Sequence, residues 1–505
     1  MKSYLYKIIV LALIFSFSSC SKDYLDTTPV DQMTEEEMFK NITNTKIALA
    51  GAYRVLYQQI SNQEEDGHTS IMIAMDYMGE DVVLSRRGTD PFYGTYRFTD
   101  HLTEENALPL FAWRLYYRLI SNVNIILEKI DSVPDATDLD KRTIKGECLA
   151  LRAFGHHMLV QLYCKRYRST DVEMANKSIG IPLLTSYSLL PQPRASIEEI
   201  YQQINIDLND AINFLDGVIQ PGLYRTHIDK SVAMGLKARV ALTQLNYTEA
   251  HYWAKEAMKR YSLMSERDVL NGFTNMINDE WMWGLHILED QVPSYGSFYG
   301  YMSSNFNSTH TRANPKLINK ELYNTISATD VRKKLWCEDI SDFANYPGVI
   351  HGTKYYSIPD QVRVPLMHNK FRVANPGSRA GDVPLMRAAE MYLIAAEAKA
   401  GLNLYQDAAD ELYPLAKARD PQYKIPDELT EMNNEVIKQR RIELWGEGFR
   451  FLDLKRRNEN LRRTPATGVD ITLGNIGTTL NLSASSASWQ FVIPRREKNA
   501  NPYIQ

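Results

Sequence analysis

The chain has few cysteines, no surplus of positive charge, and no apolar run long enough to cross a bilayer. Four cysteines in 505 residues, at 20, 148, 164 and 337, cannot build a disulfide framework, and no CxxC pair offers a metal site. If Cys148 and Cys164 share one continuous helix, they stand roughly 24 Å apart along its axis and cannot bridge. Lys and Arg total 57 against 61 Asp and Glu, a net charge of −4, which argues against nucleic-acid binding. GxSxG, HExxH and phosphate-loop motifs are all missing, so the familiar hydrolase and nucleotide chemistries have no anchor. His156–His157 does not make a metal site either, because adjacent residues point about 100° apart on a helix.

What is present begins with the N-terminus. Lys2 and Lys7 precede the apolar run Ile8–Phe17, which ends in Ser18–Ser19–Cys20. A basic start, a short apolar core and small residues describe a signal peptide over residues 1–19. A cysteine just after them is similar to a bacterial lipobox, so Cys20 is the expected lipid-attachment residue and membrane anchor. Phe17 departs from the smaller aliphatic usual there.

Helical periodicity follows. Thr34–Glu35–Glu36–Glu37 is a capping signature, and Thr43–Ile60 continues as helix with Ile47, Ala50, Tyr53 and Tyr57 on a face. Trp113–Ile130, Arg142–Tyr167 and a segment capped by Ser196 and Glu199 running to Leu215 read the same way. Ala238, Tyr247, Ala250, Ala254 and Ala257 recur 158 residues later as Ala396, Tyr405, Ala408, Leu412 and Leu415. Small residues let two antiparallel helices approach while a ring fills the turn, as in a tetratricopeptide hairpin. About four such hairpins are expected, interrupted by insertions.

Thirty tyrosines are the unusual entry in the composition. They serve either a polar ligand surface or the gaps between helices. Two stretches concentrate rings among turn formers. Residues 61–110 read as loop, and Tyr93 and Tyr96 either bind or tuck onto the core. Residues 262–380 hold Trp281–Met282–Trp283 and the run Tyr295–Tyr301. Trp281 and Trp283 alternate as on a strand. Tyr295, Phe298, Tyr299 and Tyr301 lead Trp283 as contact candidates. Asp76, Glu80 and Asp81 form a small acidic cluster, making Asp76 and Asp81 further ligand candidates and Ca²⁺ a conceivable guest; no other cofactor or metal is expected.

Gln439–Arg456 packs paired carboxylates, arginines and aromatics. As one helix it places Arg440, Glu443, Glu447 and Arg450 on one face beside Leu444 and Phe451, a structural ion-pair clasp. Glu443 and Glu447 would lie roughly 6 Å apart at Cβ, inside the roughly 5–9.5 Å range of glycosidase carboxylates. Flanking arginines, however, keep both ionised, whereas a general acid needs a raised pKa.

Several of these features together resemble SusD/RagB outer-membrane lipoproteins of Bacteroidetes. They are the lipobox at Cys20, the Trp113–Asn124 helix, Gly180–Ile181–Pro182–Leu183, the stretch Asp382–Ala398, and the ending Ile493–Pro502. The resemblance covers nearly the whole mature chain. It implies a mainly α fold on tetratricopeptide-like hairpins, with irregular loop and short-strand insertions forming a ligand-facing half. It implies no catalysis. It implies a glycan or peptide ligand, a SusC-type TonB-dependent transporter as partner, and outer-membrane anchoring through Cys20. Ser21–Lys22–Asp23 is less acidic than the family's surface-export signal. The expected divisions are a SusD-like N-terminal region over 20–225, a repeat hairpin with aromatic insertion over 226–330, and a RagB/SusD C-terminal region over 331–505, in one compact unit. A non-catalytic tetratricopeptide scaffold for protein partners is the remaining alternative.

Overall fold

The computed structural model describes residues 34–84, 90–168, 177–219, 225–292, 296–338, 349–350, 353–354, 364–463 and 481–504. Cys20 and Tyr295 lie outside them. The architecture is mainly α. Its principal helices are α1 (Ile42–Arg54), α2 (Gly67–Tyr77), α3 (Ala107–Lys129), α4 (Asp138–Tyr163), α5 (Ile197–Phe214), α6 (Lys230–Thr243), α7 (Tyr247–Ala257), α8 (Ala388–Gly401), α9 (Tyr405–Arg419), α10 (Met432–Glu443) and α11 (Arg450–Arg457). Among the described residues, no helix is long and apolar enough to cross a membrane.

Local chemistry sets the helix starts. Ser196 and Glu199 form a reciprocal capping box at α5, and Thr137 with Asp140 does the same at α4. The Asn106 side chain accepts from the Leu108 amide at α3, six residues before the apolar periodicity suggests a start. α4 ends at Tyr163, with Cys164 capping it; Cys148, Cys164 and Cys337 are free and buried.

α3 to α9 pack in succession, each on the next, although some 130 residues of chain separate α7 from α8. The repeat seen in the sequence is the hairpin pair α6/α7 and α8/α9. Ala238, Ala250, Ala254, Ala257, Ala396 and Ala408 are all fully buried. The Tyr247 ring lies directly against Gly401, where a Cβ would come 2.4 Å from it, so the first hairpin's tyrosine seats on the second hairpin's turn. Both turns also use a left-handed residue at matching positions, Leu245 (φ 57°) and Asn403 (φ 60°).

The strands occupy the other half. β1 (Val82–Leu84), β3 (Lys316–Ile318), β5 (Met367–His368) and β4 (Trp336–Cys337) form an antiparallel sheet in the order β1-β3-β5-β4. Val82 faces Ile318, Leu317 faces Met367, and Trp336 faces His368. β2 (Trp281–Ile287) pairs antiparallel with β6 (Gly381–Arg387), Val383 opposite Leu285. β6 runs into α8 with no connecting loop, so Arg387 ends the strand and starts the helix.

Two expectations need correction. Residues 67–77, read as loop, are the helix α2, and all 11 of its residues are buried. A helix packed on every side carries no amphipathic stripe, so Ile71–Met75 offers periodicity no signal. Gln439–Arg456 is not one helix. α10 stops at Glu443, and the chain turns through Gly446 (φ 78°) and Gly448 (φ 87°) before α11 begins. At Gly448 a Cβ would stand 2.7 Å from the Met72 Cα, so the turn presses its bare backbone onto α2. Gly448→Ala should therefore cost at least about 3 kcal/mol, from left-handed strain plus a backbone clash. Gly217→Ala, also left-handed (φ 71°) but with nothing within 4 Å, should cost about 1 kcal/mol. Chemical denaturation of the two variants gives the comparison.

Candidate functional site

The residues with the richest chemistry in the sequence lie in the interior. Arg387 donates to three carboxylates: Glu280, Glu443 (2.9 Å) and Glu447 (2.6 Å). Arg419 reaches Glu280 (2.7 Å) and Glu443 (3.1 Å), Arg332 reaches Glu443 (3.2 Å), and Lys370 reaches Glu447 (2.6 Å). All seven side chains are buried. Burial pushes the Glu443 carboxyl up, but Arg419, Arg387 and Arg332 overcome it and hold it well below the usual carboxylate range. Glu447 is likewise lowered, against burial, by Arg387 and Lys370.

The clasp exists, but its partners are not the ones a single helix would supply. Glu443 and Glu447 are bridged from distant segments. Arg440 pairs with Asp453 (2.7 Å), and Arg450 donates to Glu80 (Nε, 3.0 Å). Phe449 lies between two guanidiniums, those of Arg239 and Arg440, each 5.2 Å from its ring centre.

The acidic cluster is part of the same system. Asp76 accepts the amides of Gly448 (2.7 Å) and Arg450 (3.2 Å), and Asp81 accepts Arg441 Nη2 (2.5 Å). Asp76 and Asp81 are thus spent on tying α2 and the strand after it to the C-terminal helices, not presented to a ligand. Among the described residues no group of three or more His, Cys, Asp or Glu side chains is placed to hold a metal ion.

Most of the aromatic candidates are core as well. Trp283 is fully buried and donates to the Thr226 carbonyl (3.2 Å). Tyr299 is buried and donates to the Asp382 carbonyl (2.7 Å), while Phe298 packs edge-on against Phe371. Tyr96 lies under the Arg463 guanidinium, 4.3 Å from its ring centre. The glycines interleaved with these rings let them pack closely. Gly300 and Gly381 leave room for the Arg379 stem and the Tyr299 ring.

Tyr301 is the exception in position, though it too is buried. Its hydroxyl donates to the Gln63 carbonyl (3.1 Å), and its ring meets Phe92 (5.2 Å) and His310 (5.2 Å). It joins three loops beneath one face. On that face Tyr93 is half-buried, with the Arg97 guanidinium 5.7 Å from its ring centre. Phe306 is half-buried under Arg379 (5.6 Å), whose stem packs at Gly300 next to Tyr301, with Asn307 exposed and Arg312 donating to it (2.6 Å). Tyr93 is thus the one aromatic candidate among the described residues that reaches the surface. Arg97, four residues after Tyr93 on a helical turn, was within reach of sequence reasoning. Phe306 and Arg379 carried no such signal, because they come from loops 73 residues apart.

The comparisons with known proteins agree with this architecture. Two family profiles match: one described as starch-binding associating with outer membrane, over residues 23–242, and the SusD family over residues 349–502. The chain belongs to the SusD/RagB family. It is 22% identical over 500 residues to SusD-like protein P38 of Formosa agariphila, covering 89% of this chain and 90% of that one. Its fold matches a SusD-like carbohydrate-binding protein of Bacteroides vulgatus at TM-score 0.76 and 24% identity, over 92% of this chain and 97% of that one. Surface glycan-binding protein A of Bacteroides thetaiotaomicron, solved with laminarihexaose, matches at TM-score 0.67 and 18% identity, over 91% and 97%.

Two predictions follow from the electrostatics. Glu443→Ala leaves three buried cations short of an anion and should cost about 3–5 kcal/mol, read as a lowered denaturation midpoint. The second concerns Asp66, in the loop that Tyr301 grips. Burial pushes its carboxyl up to about 7, and Oδ1 has no partner. A carboxyl raised in the folded state contributes stability below its unfolded pKa, about 3.9, and loses it as pH rises toward 7. Asp66→Asn should flatten the decline in stability between those values, checked by thermal denaturation across pH.

Proposed function

We propose that the chain is a surface lipoprotein, anchored through Cys20, that binds an oligosaccharide and hands it to a SusC-type TonB-dependent transporter. The observation that carries this is the face over Tyr301. Two ring–guanidinium pairs, Tyr93 with Arg97 and Phe306 with Arg379, stand half-exposed on loops held by a rigid base. A sugar ring has apolar C–H faces that stack on an aromatic and hydroxyls that accept from a guanidinium. Membership of the SusD/RagB family and the laminarihexaose bound to a structural relative support a glycan as the ligand class.

The proposed role is non-catalytic. The carboxylate pair that the sequence offered for glycosidase chemistry, Glu443 and Glu447, is buried and held ionised by four cations. Neither carboxylate is free to deliver a proton to a substrate.

Calorimetric titration with a panel of neutral oligosaccharides and short peptides tests the proposal. Tyr93→Ala and Phe306→Ala should each weaken glycan binding about 10-fold or more, as loss of a stacked ring does, with a smaller fall in melting temperature than loss of a fully buried ring gives. Tyr299→Ala should give that larger fall. Peptide binding alone would overturn the glycan assignment. Co-purification of a SusC-type barrel with the lipidated protein, abolished by Cys20→Ser only if the tether is needed, tests the partner.

A further inference from the structure

A second concavity, about 500 Å³, opens where the chain leaves α4, far from Tyr93 in sequence and built from other elements. One wall carries Lys165, Arg166, Arg168 and Lys455; the facing wall is the small, hydroxyl-bearing run from Ala484 to Ala487, closed by Trp489. Among the described residues that line it, the one carboxylate is Glu459, already held by Arg457 at 2.8 Å.

Lys455 is the telling residue. Its side chain is buried, and among the described residues its ammonium donates to one neutral acceptor, the Gln161 carbonyl. Its neighbour Cys164 supplies no counter-charge, since burial pushes that thiol up to about 12. Burial pushes the ammonium itself down to about 7. Among the described residues Arg166 also meets a neutral partner, the Asn458 side-chain oxygen at 3.0 Å, and is lowered by burial and by Arg168. Burying an ammonium whose partner among the described residues is neutral is costly. An anion entering the cleft would relieve that cost and take up the ammonium's unspent donors.

We propose that this cleft binds the anionic group of an acidic saccharide, a carboxylate or a sulfate ester, on Lys455 and Arg166, with Ser485 and Ser486 facing the ring hydroxyls. The concave shape and the serine wall favour a sugar over a lipid surface, which meets a flat or convex basic patch. The position of the site stands on its own residues; the saccharide nature of the anion's carrier rests on the glycan reading above.

The test is calorimetric titration of the whole protein with trigalacturonate, its uncharged methyl ester and galactose 6-sulfate, alongside co-sedimentation with phosphatidylcholine–phosphatidylglycerol vesicles. Wild type should bind the acid or the sulfate and not the ester. Lys455→Met and Arg166→Gln should each weaken that binding by about 10–100-fold, the size of one lost charge-assisted hydrogen bond. Lys455→Met should keep or raise the melting temperature, since it removes a buried unpaired charge. Tyr93→Ala should leave acid binding unchanged, and Lys455→Met should leave neutral-glycan binding at the Tyr93 face unchanged, so the two sites fail separately. Equal binding of acid and ester, wild-type affinity in both cation variants, no anion binding at all, or vesicle binding in place of saccharide binding would each overturn the proposal.

Discussion

Arg387 joins the two halves of the molecule. It stands where β6 becomes α8, so its backbone belongs to the sheet and the helical stack at once. Its guanidinium collects carboxylates from β2's leading edge and from the α10–α11 turn, and Arg419, Arg332 and Lys370 complete the balance. Ion networks this deeply buried return less stability than an apolar core of equal volume, because every charge has lost its water. What they provide is register. Three carboxylates and four cations must meet from six separate segments, and a shifted helix leaves a charge bare.

That network reframes the richness of the Gln439–Arg456 stretch. A catalytic carboxylate needs a field that can release a proton; here cations outnumber anions around each acid, and the field points the other way. The same economy governs the aromatic excess. Tyr77, Phe92, Tyr96 and Tyr301 stack edge to face beneath the surface, and Asp90 gathers the Tyr77 hydroxyl, Lys316 and Asn314 among them. The rings form a stiff floor, and among the described aromatics here Tyr93 and Phe306, with their arginines, meet solvent. Orientation of a ligand is best served by loops that cannot yield.

Much of the fold was legible because its signals are local. Capping boxes at Thr34 and Ser196, the Trp281–Trp283 alternation and the 158-residue echo each rest on neighbours in the chain. The site was far less legible. Ring content pointed to the two insertions that carry Tyr93 and Phe306, but burial is decided by partners more than 200 residues away, as between Phe92 and Tyr301. Nothing near Tyr299 announces that its hydroxyl will be consumed by the Asp382 carbonyl. α2 escaped for the opposite reason: a helix surrounded on all sides looks uniformly apolar, and its glycine start at Gly67 (φ 58°) reads as a turn. The glycines at 446 and 448 mark a close approach that reading their surroundings as one helix conceals.

The seam between α2 and the Gly448 turn also bears on how the chain reaches this state. Residues 67–77 come early in synthesis, and the amides that satisfy Asp76 arrive some 370 residues later. Until then, an apolar segment stays without the neighbour that covers it. Closure over so long a loop is slow, and hydrophobic surface left waiting is prone to aggregate. The helical stack from α3 to α9 can assemble stepwise from adjacent pieces, whereas α2 must be held in reserve for the last hundred residues. Truncation near the C-terminus would therefore expose the beginning of the protein, not only remove its end.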